Sequence, residues 1–199
     1  METPTQEKLG VLDAIRARRA IRRYAPEPPS DECIKALLQA AVRAPTAMHL
    51  EPWGFVVVQD AALLRRYSDR SKSMMLESRA LEGAPGSSHL DMLRDPAYNI
   101  FYDAGTLIVV CRKIAAPFAD ADCWLAAQNL MLAAVAHGLG TCCIGFAVPV
   151  LNVPEVKHEL GIPEQGAAVA PIIVGRALGR TPAVPRKAPE ILRWVKPHP

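Results

Sequence analysis

Ala41-Val42-Arg43-Ala44-Pro45-Thr46-Ala47-Met48-His49-Leu50-Glu51-Pro52-Trp53-Gly54-Phe55-Val56-Val57-Val58 carries a helix end, a loop and a strand in one run. Upstream, Ile34, Leu37, Leu38 and Ala41 recur at i, i+3, i+4 and i+7, so Asp31–Arg43 is an amphipathic helix. Ser30 is its N-cap, with Asp31 and Glu32 in the first turn. Pro45 stops it, because the residue before a proline is pushed out of the helical region. Phe55–Val58 is a short continuous apolar run, the pattern of a buried strand. The residues just after that strand separate two architectures. A dinucleotide-binding βαβ unit would place G-x-G-x-x-G here. The chain instead has Asp60, set to cap a helix through Leu63, Leu64 and Tyr67.

The flanking regions agree with a mixed fold. Lys8–Arg18 forms a first helix, with Leu9, Leu12, Ile15 and Arg16 near one face. Thr106–Cys111 is β-branched and apolar, a second strand. A long helix begins at Asp120 or Asp122 and runs to His137, apolar nearly all round and therefore buried in a core or a subunit interface. Gly138 and Gly140 end it. Thr141–Phe146 is a short strand entering a turn at Gly145, and Pro154–Leu160 is a short helix closed by Gly161. Ala167–Gly175 is a further strand, which Pro171 assigns to an edge or a bulge. Helices and strands mix without regular βα alternation, so the fold class is α+β. Across residues 68–95 the periodic signal fades: Lys72–Leu81 is weakly helical and Gly83–Ser88 is a loop, so this stretch is either a lid or a plain surface excursion. The tail, residues 176–199, is proline-rich and extended apart from a turn at Glu190–Val195. It cannot make its own core, and Trp194 argues that it wraps something.

Composition narrows the function classes. The 199 residues suffice for one domain with a sizeable core. Half the chain is hydrophobic and 22% is charged, an ordinary globular balance. With 23 basic and 20 acidic residues the net charge is only +3, too little for a broad field toward nucleic acid. The five cysteines (Cys33, Cys111, Cys123, Cys142, Cys143) are odd in number and never spaced C-x-x-C, which fits reduced thiols in a cytoplasmic protein. The N-terminus has no signal-peptide core. Trp124–Ala136 is too short to span a bilayer and contains Gln128 and Asn129.

The chemistry-bearing stretch is Arg16-Ala17-Arg18-Arg19-Ala20-Ile21-Arg22-Arg23-Tyr24, with five arginines in nine residues. Arginines this close repel unless an anion sits among them, and a phosphate ester suits the guanidinium fork. A solvated helix face is the alternative, helped by the favourable placement of arginine at a helix C-terminus. A nucleic-acid patch is the third.

Three segments together resemble the nitroreductase family of flavin enzymes. They are Ala14–Tyr24, the Ala41–Val58 run, and Ala127-Gln128-Asn129-Leu130-Met131-Leu132-Ala133-Ala134 followed by Gly138-Leu139-Gly140-Thr141 and Ile144-Gly145. A weaker match is Ile172-Ile173-Val174-Gly175, with Arg186 in the tail. The resemblance covers most of the chain outside residues 68–95. It implies one domain over residues 1–199, built on a central, mostly antiparallel sheet flanked by helices. It further implies an intertwined homodimer, FMN at the subunit interface, the tail embracing the partner, and the long apolar helix at the dimer centre. NAD(P)H would be the co-substrate and an electron-poor small molecule (a nitroaromatic, a quinone or an activated alkene) the acceptor, in a ping-pong reaction. A flavin-binding module without reductase activity is the alternative, as is a specialised relative that fragments flavin or removes halogen. No nucleic acid or membrane partner is implied.

By that resemblance Arg18, Arg19 and Arg22 hold phosphate and Arg186 completes their pocket, while Arg16 and Arg23 stay solvated or in surface pairs. Ala20 stands where the family usually has serine, removing one hydroxyl donor but not the backbone N–H. Pro45, Thr46 and Ala47 form the loop that reaches the neighbouring subunit's flavin. His49 replaces the family's common asparagine and still offers one donor and one acceptor when neutral. Glu51 replaces glutamine and cannot donate when ionised, leaving it an arginine partner or a surface role. Ile144 and Gly145 lie beside flavin N5, where backbone must approach closely. No side-chain acid or base is required, because the cofactor carries the hydride. Adjacent Cys142 and Cys143 are poorly placed to bridge and serve as small lining residues. His137 with these cysteines lacks a fourth ligand, so no metal site is expected.

Overall fold

Thr106–Arg112 (β2) is apolar from Leu107 to Cys111, and all five of these side chains are buried. A strand of this kind needs a layer on each face, and it has both. The computed structural model describes residues 9–78 and 89–197. Within them β1 (Trp53–Val58), β2, β3 (Gly140–Cys143) and β4 (Ala167–Gly175) form a sheet in the order β1-β2-β4-β3, antiparallel at each step. Leu107, Val109, Cys111, Cys142 and Ile173 face a core with Leu64 and Tyr67 of α3 (Ala61–Glu77), Leu151 of α6 (Ala147–Leu151) and Val156 of α7 (Pro154–Glu159). Ile108, Val110, Ala170, Ile172 and Val174 face α2 (Asp31–Ala41) and α5 (Ala119–Ala136). Each fully buried branched side chain contributes about 1.5–3 kcal/mol. The α+β sandwich is therefore as expected. α5 has 18 residues, and among the described residues no helix is long and apolar enough to cross a membrane.

The caps agree with the sequence. Ser30 Oγ accepts from Cys33 N, and Asp60 Oδ1 accepts from Ala62 N and Leu63 N at 2.9 and 3.0 Å. Three expectations need correction. Pro171 lies in a central strand, not at a sheet edge. It pairs with Val109, and its carbonyl accepts from Ile144 N at 2.8 Å, just past the last residue of β3. The donor it lacks would have gone to Ile144, whose carbonyl instead accepts from Ala147 N at 3.0 Å. The missing N–H thus marks where the chain leaves the sheet for α6. The bulge lies nearby, where Val110 pairs with Ala170 but Cys111 with Ala168.

Second, the stretch where the signal fades holds ten more residues of α3, Ser68–Glu77, so the weak helix expected from Lys72 is, as far as Glu77, the end of α3. Its inner face is polar but satisfied. Ser68 Oγ accepts from Ile100 N, Ser71 Oγ donates to the Phe146 carbonyl, and buried Lys72 Nζ donates to Tyr98 O at 2.8 Å. A further helix, α4 (His89–Arg94), comes next, while the expected Gly83–Ser88 loop lies outside the described residues. Third, the first helix is shorter: α1 is Val11–Ala17, and its apolar stripe faces away from the core. Only Ala14 is buried, while Leu12 and Ile15 are 60% and 51% exposed. Trp124 and Leu125 of α5 and Ile191, Leu192 and Trp194 of the extended tail are exposed too.

Candidate active site

The arginine run leaves α1 at Arg18 and lies down beside β3. Ala20 pairs in parallel with Thr141, and Ile21 N donates to Thr141 O at 2.9 Å. Such an approach requires Gly140, where a Cβ would sit 2.6 Å from Ile21 Cγ1. The run is held from its other side by the start of the tail. Ala25 N donates to Arg176 O and Leu178 N to Arg23 O, both at 2.9 Å. Buried Tyr24 donates from its hydroxyl to Ile21 O at 2.6 Å, and burial pushes that phenol far above its ordinary range.

Two hollows flank this segment. One, of about 270 Å³, is lined by Ile15, Arg16, Arg18, Arg19, Ala20, Val184 and Arg186. The structure therefore brings Arg18, Arg19, Ala20 and Arg186 together, although Arg186 is distant in sequence. Among the described residues no carboxylate pairs with Arg18, Arg22 or Arg186, whereas Arg16 pairs with Asp13 at 3.3 Å. Arg19 is divided in its role: its guanidinium donates to the Arg16 and Arg18 carbonyls and so closes the end of α1. The second hollow, a cleft of about 570 Å³, holds Arg22, Ile144 and Gly145 with Tyr98, Tyr102 and Phe146. A Cβ built on Gly145 meets nothing within 4 Å, so backbone there is open to a flat ligand. The hollows adjoin. Burial raises the Cys142 thiol, and the charges of both Arg22 and Arg18 pull it partly back. Burial also pushes Cys143 up to about 11, so neither thiol is a poised nucleophile.

The cleft has one braced wall. Arg22 lies 5.7 Å from the Tyr102 ring centroid, and the Tyr98 and Tyr102 hydroxyls are 3.1 Å apart. Tyr102 and Asp103 both have φ of +52°, an uncommon conformation for non-glycine residues. Asn99 holds it, donating to Asp103 Oδ1 at 2.8 Å and accepting from Phe101 N at 2.9 Å.

Pro45, Thr46, Ala47 and His49 line neither hollow. Their loop is tied to α5, where both oxygens of Asp122 accept from Ala47 N at 3.2 Å. Met48 and His49 project outward, and Met48, His49 and Glu51 all have positive φ. Each such residue costs about 1–3 kcal/mol and persists only where its surroundings over-determine it.

A family model described as the nitroreductase family matches residues 15–176, a span that contains the arginine run, the 45–51 loop and the Ile144–Gly145 turn. The chain belongs to the nitroreductase family. It is 32% identical to a Thermus thermophilus protein named NADH dehydrogenase over 188 residues, covering 84% of this chain and 88% of the relative. A Thermotoga neapolitana iodotyrosine deiodinase is 32% identical over 165 residues, covering 77% and 86%. Among solved structures, an FMN-bound nitroreductase from Bacteroides fragilis matches with a TM-score of 0.75 at 27% identity, covering 95% of this chain and 100% of that one. In this nitroreductase-family chain Ala20 leaves a visible mark. The hydroxyl of its partner Thr141 is buried and has no hydrogen-bond partner among the described residues. Sequence reasoning missed Asp122, Tyr98 and Tyr102. The first looked like an ordinary helix start, and the others fell at or beyond the edge of the faded stretch.

Proposed function

We propose that the chain is an FMN-dependent NAD(P)H oxidoreductase that works as a homodimer. The observation that carries this is Arg18 and Arg186, unpaired among the described residues, in one hollow, with Arg22 of the same segment lining a cleft that has open backbone at Gly145. The residues fit the cofactor on their own chemistry. A phosphate ester would satisfy guanidinium forks that no carboxylate among the described residues serves. A flat ring system would fit the cleft between the Ile144–Gly145 turn and the tyrosine wall.

Bound there, FMN would supply hydride relay from NAD(P)H to an electron-poor acceptor such as a nitroaromatic, a quinone or an activated alkene. The protein's part is position and charge. Arg18 and Arg186 would hold the phosphate, with Arg19 contributing from its place at the end of α1. Arg22 would bring positive charge to the ring edge, and the Gly145 N–H, which no acceptor among the described residues takes, would donate to it. The 45–51 loop would cover the partner's cofactor. The exposed stripe of α1, Trp124 and Leu125 of α5, and the tail would form the dimer interface, which gives all three apolar surfaces one occupant. The chain would work in the cytoplasm, in keeping with its five free thiols.

A second reading rests on the deiodinase relative and the paired Tyr98 and Tyr102 hydroxyls: the acceptor would be a halogenated phenol. The deciding experiment is the absorbance spectrum of purified protein, before and after anaerobic addition of NADPH and then NADH. A flavin band that bleaches is expected, and the donor that bleaches it is the co-substrate. Acceptor screening then includes 3-iodotyrosine. A bound flavin that neither donor bleaches would make the chain a non-reductase flavin module. No flavin band even after added FMN would sink the proposal.

A further inference from the structure

Asp122 stands in the first turn of α5 but caps nothing on that helix. Both carboxylate oxygens instead accept from the N–H of Ala47, 75 residues away in sequence. The side chain is 4% exposed, and among the described residues no lysine or arginine pairs with it. Its neighbour Asp120, by contrast, is exposed and pairs with Arg112 at 2.9 Å. Burying a carboxylate is costly unless its charge is met, and here the helix N-terminus and one loop amide meet it. Seven residues on, and so on the same face of α5, Asn129 Nδ2 donates to Ala40 O at 3.4 Å. The helix therefore grips the segment from Ala40 to Ala47 at both ends. Directly beyond the grip come Met48, His49 and Glu51, with φ of +54°, +52° and +43°. Backbone of that kind persists only where something over-determines it.

We infer that Asp122 is a positioning residue of the flavin site: by locking Ala47, it presents the 45–51 loop in one conformation to the FMN of a second copy of the chain. This rests on the proposal of a dimeric, FMN-binding protein. Asp122 touches neither cofactor nor acceptor, and it acts through Ala47 and the residues after it.

The test uses full-length protein with FMN, in wild type, Asp122→Ala, Asp122→Asn and Ala47→Pro. Asparagine keeps an oxygen acceptor without the charge. Proline deletes the donor from the other end while leaving Asp122 intact. It is tolerated at the first position of the helical turn Ala47–His49 and after Thr46, which is extended. Three quantities are read: amide exchange across 44–52, the FMN dissociation constant, and the visible circular dichroism of bound flavin. Asp122→Ala and Ala47→Pro should each weaken FMN at least fivefold and change the visible dichroism, and Asp122→Ala should speed exchange at Ala47 at least tenfold. Asp122→Asn should recover most of all three. Wild-type FMN affinity and dichroism in Ala47→Pro would overturn the inference, whatever the alanine variant does. Failure of the underlying proposal looks different, since the wild-type chain itself would then take up no FMN.

Discussion

Gly140→Ala should loosen the arginine run and the cofactor together. A Cβ at Gly140 would lie 2.6 Å from Ile21 Cγ1, 2.9 Å from Ile21 Cβ and 3.0 Å from Ile21 Cγ2. Ordinary carbon contacts are about 3.5–4.0 Å, so the overlap is on the order of 1 Å. Rotating Ile21 cannot relieve it, because the Cβ itself is in the way and β-branched side chains are stiff at χ1. The backbone must move, against the Ile21 N to Thr141 O bond of 2.9 Å and the two bonds to the tail. Overpacking costs about 1–3 kcal/mol and a lost hydrogen bond about 1, offset by about 0.4–1 from the stiffer unfolded chain. The net loss is roughly 1–3 kcal/mol, which for a chain of this size lowers Tm by on the order of 3–10 °C. Arg18 and Arg22 ride on the same segment. Displacing charge-assisted bonds worth about 1.5–3 kcal/mol should weaken FMN about tenfold or more. Thermal unfolding with and without FMN, and a flavin fluorescence titration, measure both. Adding Ile21→Ala removes two of the clashing atoms, so the double variant should bind FMN better than the sum of the single effects implies. Gly140→Ala protein that melts within about 1 °C of wild type and binds FMN equally would refute the close-approach argument.

Ala20→Ser should tighten FMN by roughly three- to tenfold, because it supplies a hydroxyl beside the phosphate hollow and opposite the unpartnered Thr141 hydroxyl; equilibrium dialysis decides it, and weaker binding would count against the placement. Lys72→Met should cost about 1–3 kcal/mol and speed amide exchange across 95–103, since two carbonyls, Asp95 O and Tyr98 O, lose their buried donor. Unaltered exchange there would show that Lys72 does not brace the tyrosine wall. Burial pushes the thiols of Cys111 and Cys123 up to about 12 and that of Cys143 to about 11. Unfolded thiols ionise near 8.5, so above that pH the unfolded chain releases protons that the folded chain keeps. Their contribution is therefore fully present below about pH 8.5 and declines as pH rises toward the folded values. The urea midpoint should fall between pH 8 and 10.5, by less in a Cys111→Ala/Cys123→Ala/Cys143→Ala variant; equal declines would assign the effect elsewhere.

The apolar strands and the long helix were legible because both faces of β2 and β4 and the sheet-facing side of α5 are buried, so a bare run of Val, Ile, Leu and Ala suffices. The caps at Ser30 and Asp60 were legible because capping is local. The second half of α3 was only weakly so. Ser68, Ser71 and Lys72 look like solvent-facing residues, and only the carbonyls and amides brought by the 95–104 segment and Phe146 make their burial favourable. Pro171 misled for a related reason: a missing donor matters only where a partner strand is present, and β3 has just ended. α6 was missed because Pro149 and the Gly145 turn masked a single apolar turn and a half. Of the candidate site, the arginines and Gly145 could be nominated from the residue pattern and the family resemblance, and the structure brings Arg18, Arg19 and Arg186 to one hollow but Arg22 to the cleft with Gly145. Asp122 could not, since its partner is an amide of another segment and carries no side-chain signature.

The stretch of backbone that carries the arginines also closes one side of the sheet, because Ala20 occupies the outer edge of β3. An uncovered β3 would offer its free N–H and C=O groups to any other chain as a template for aggregation. The cover and the strand are 121 residues apart, between Ala20 and Thr141. During synthesis the cover is therefore made first and waits for its strand, and the contact is a late, non-local one. If the run holds the flavin phosphate as proposed, solubility and cofactor retention should change together in this protein. Substitutions that unseat the run should yield colourless, aggregation-prone material rather than well-behaved apoprotein, and selecting for yield would select for flavin binding as well.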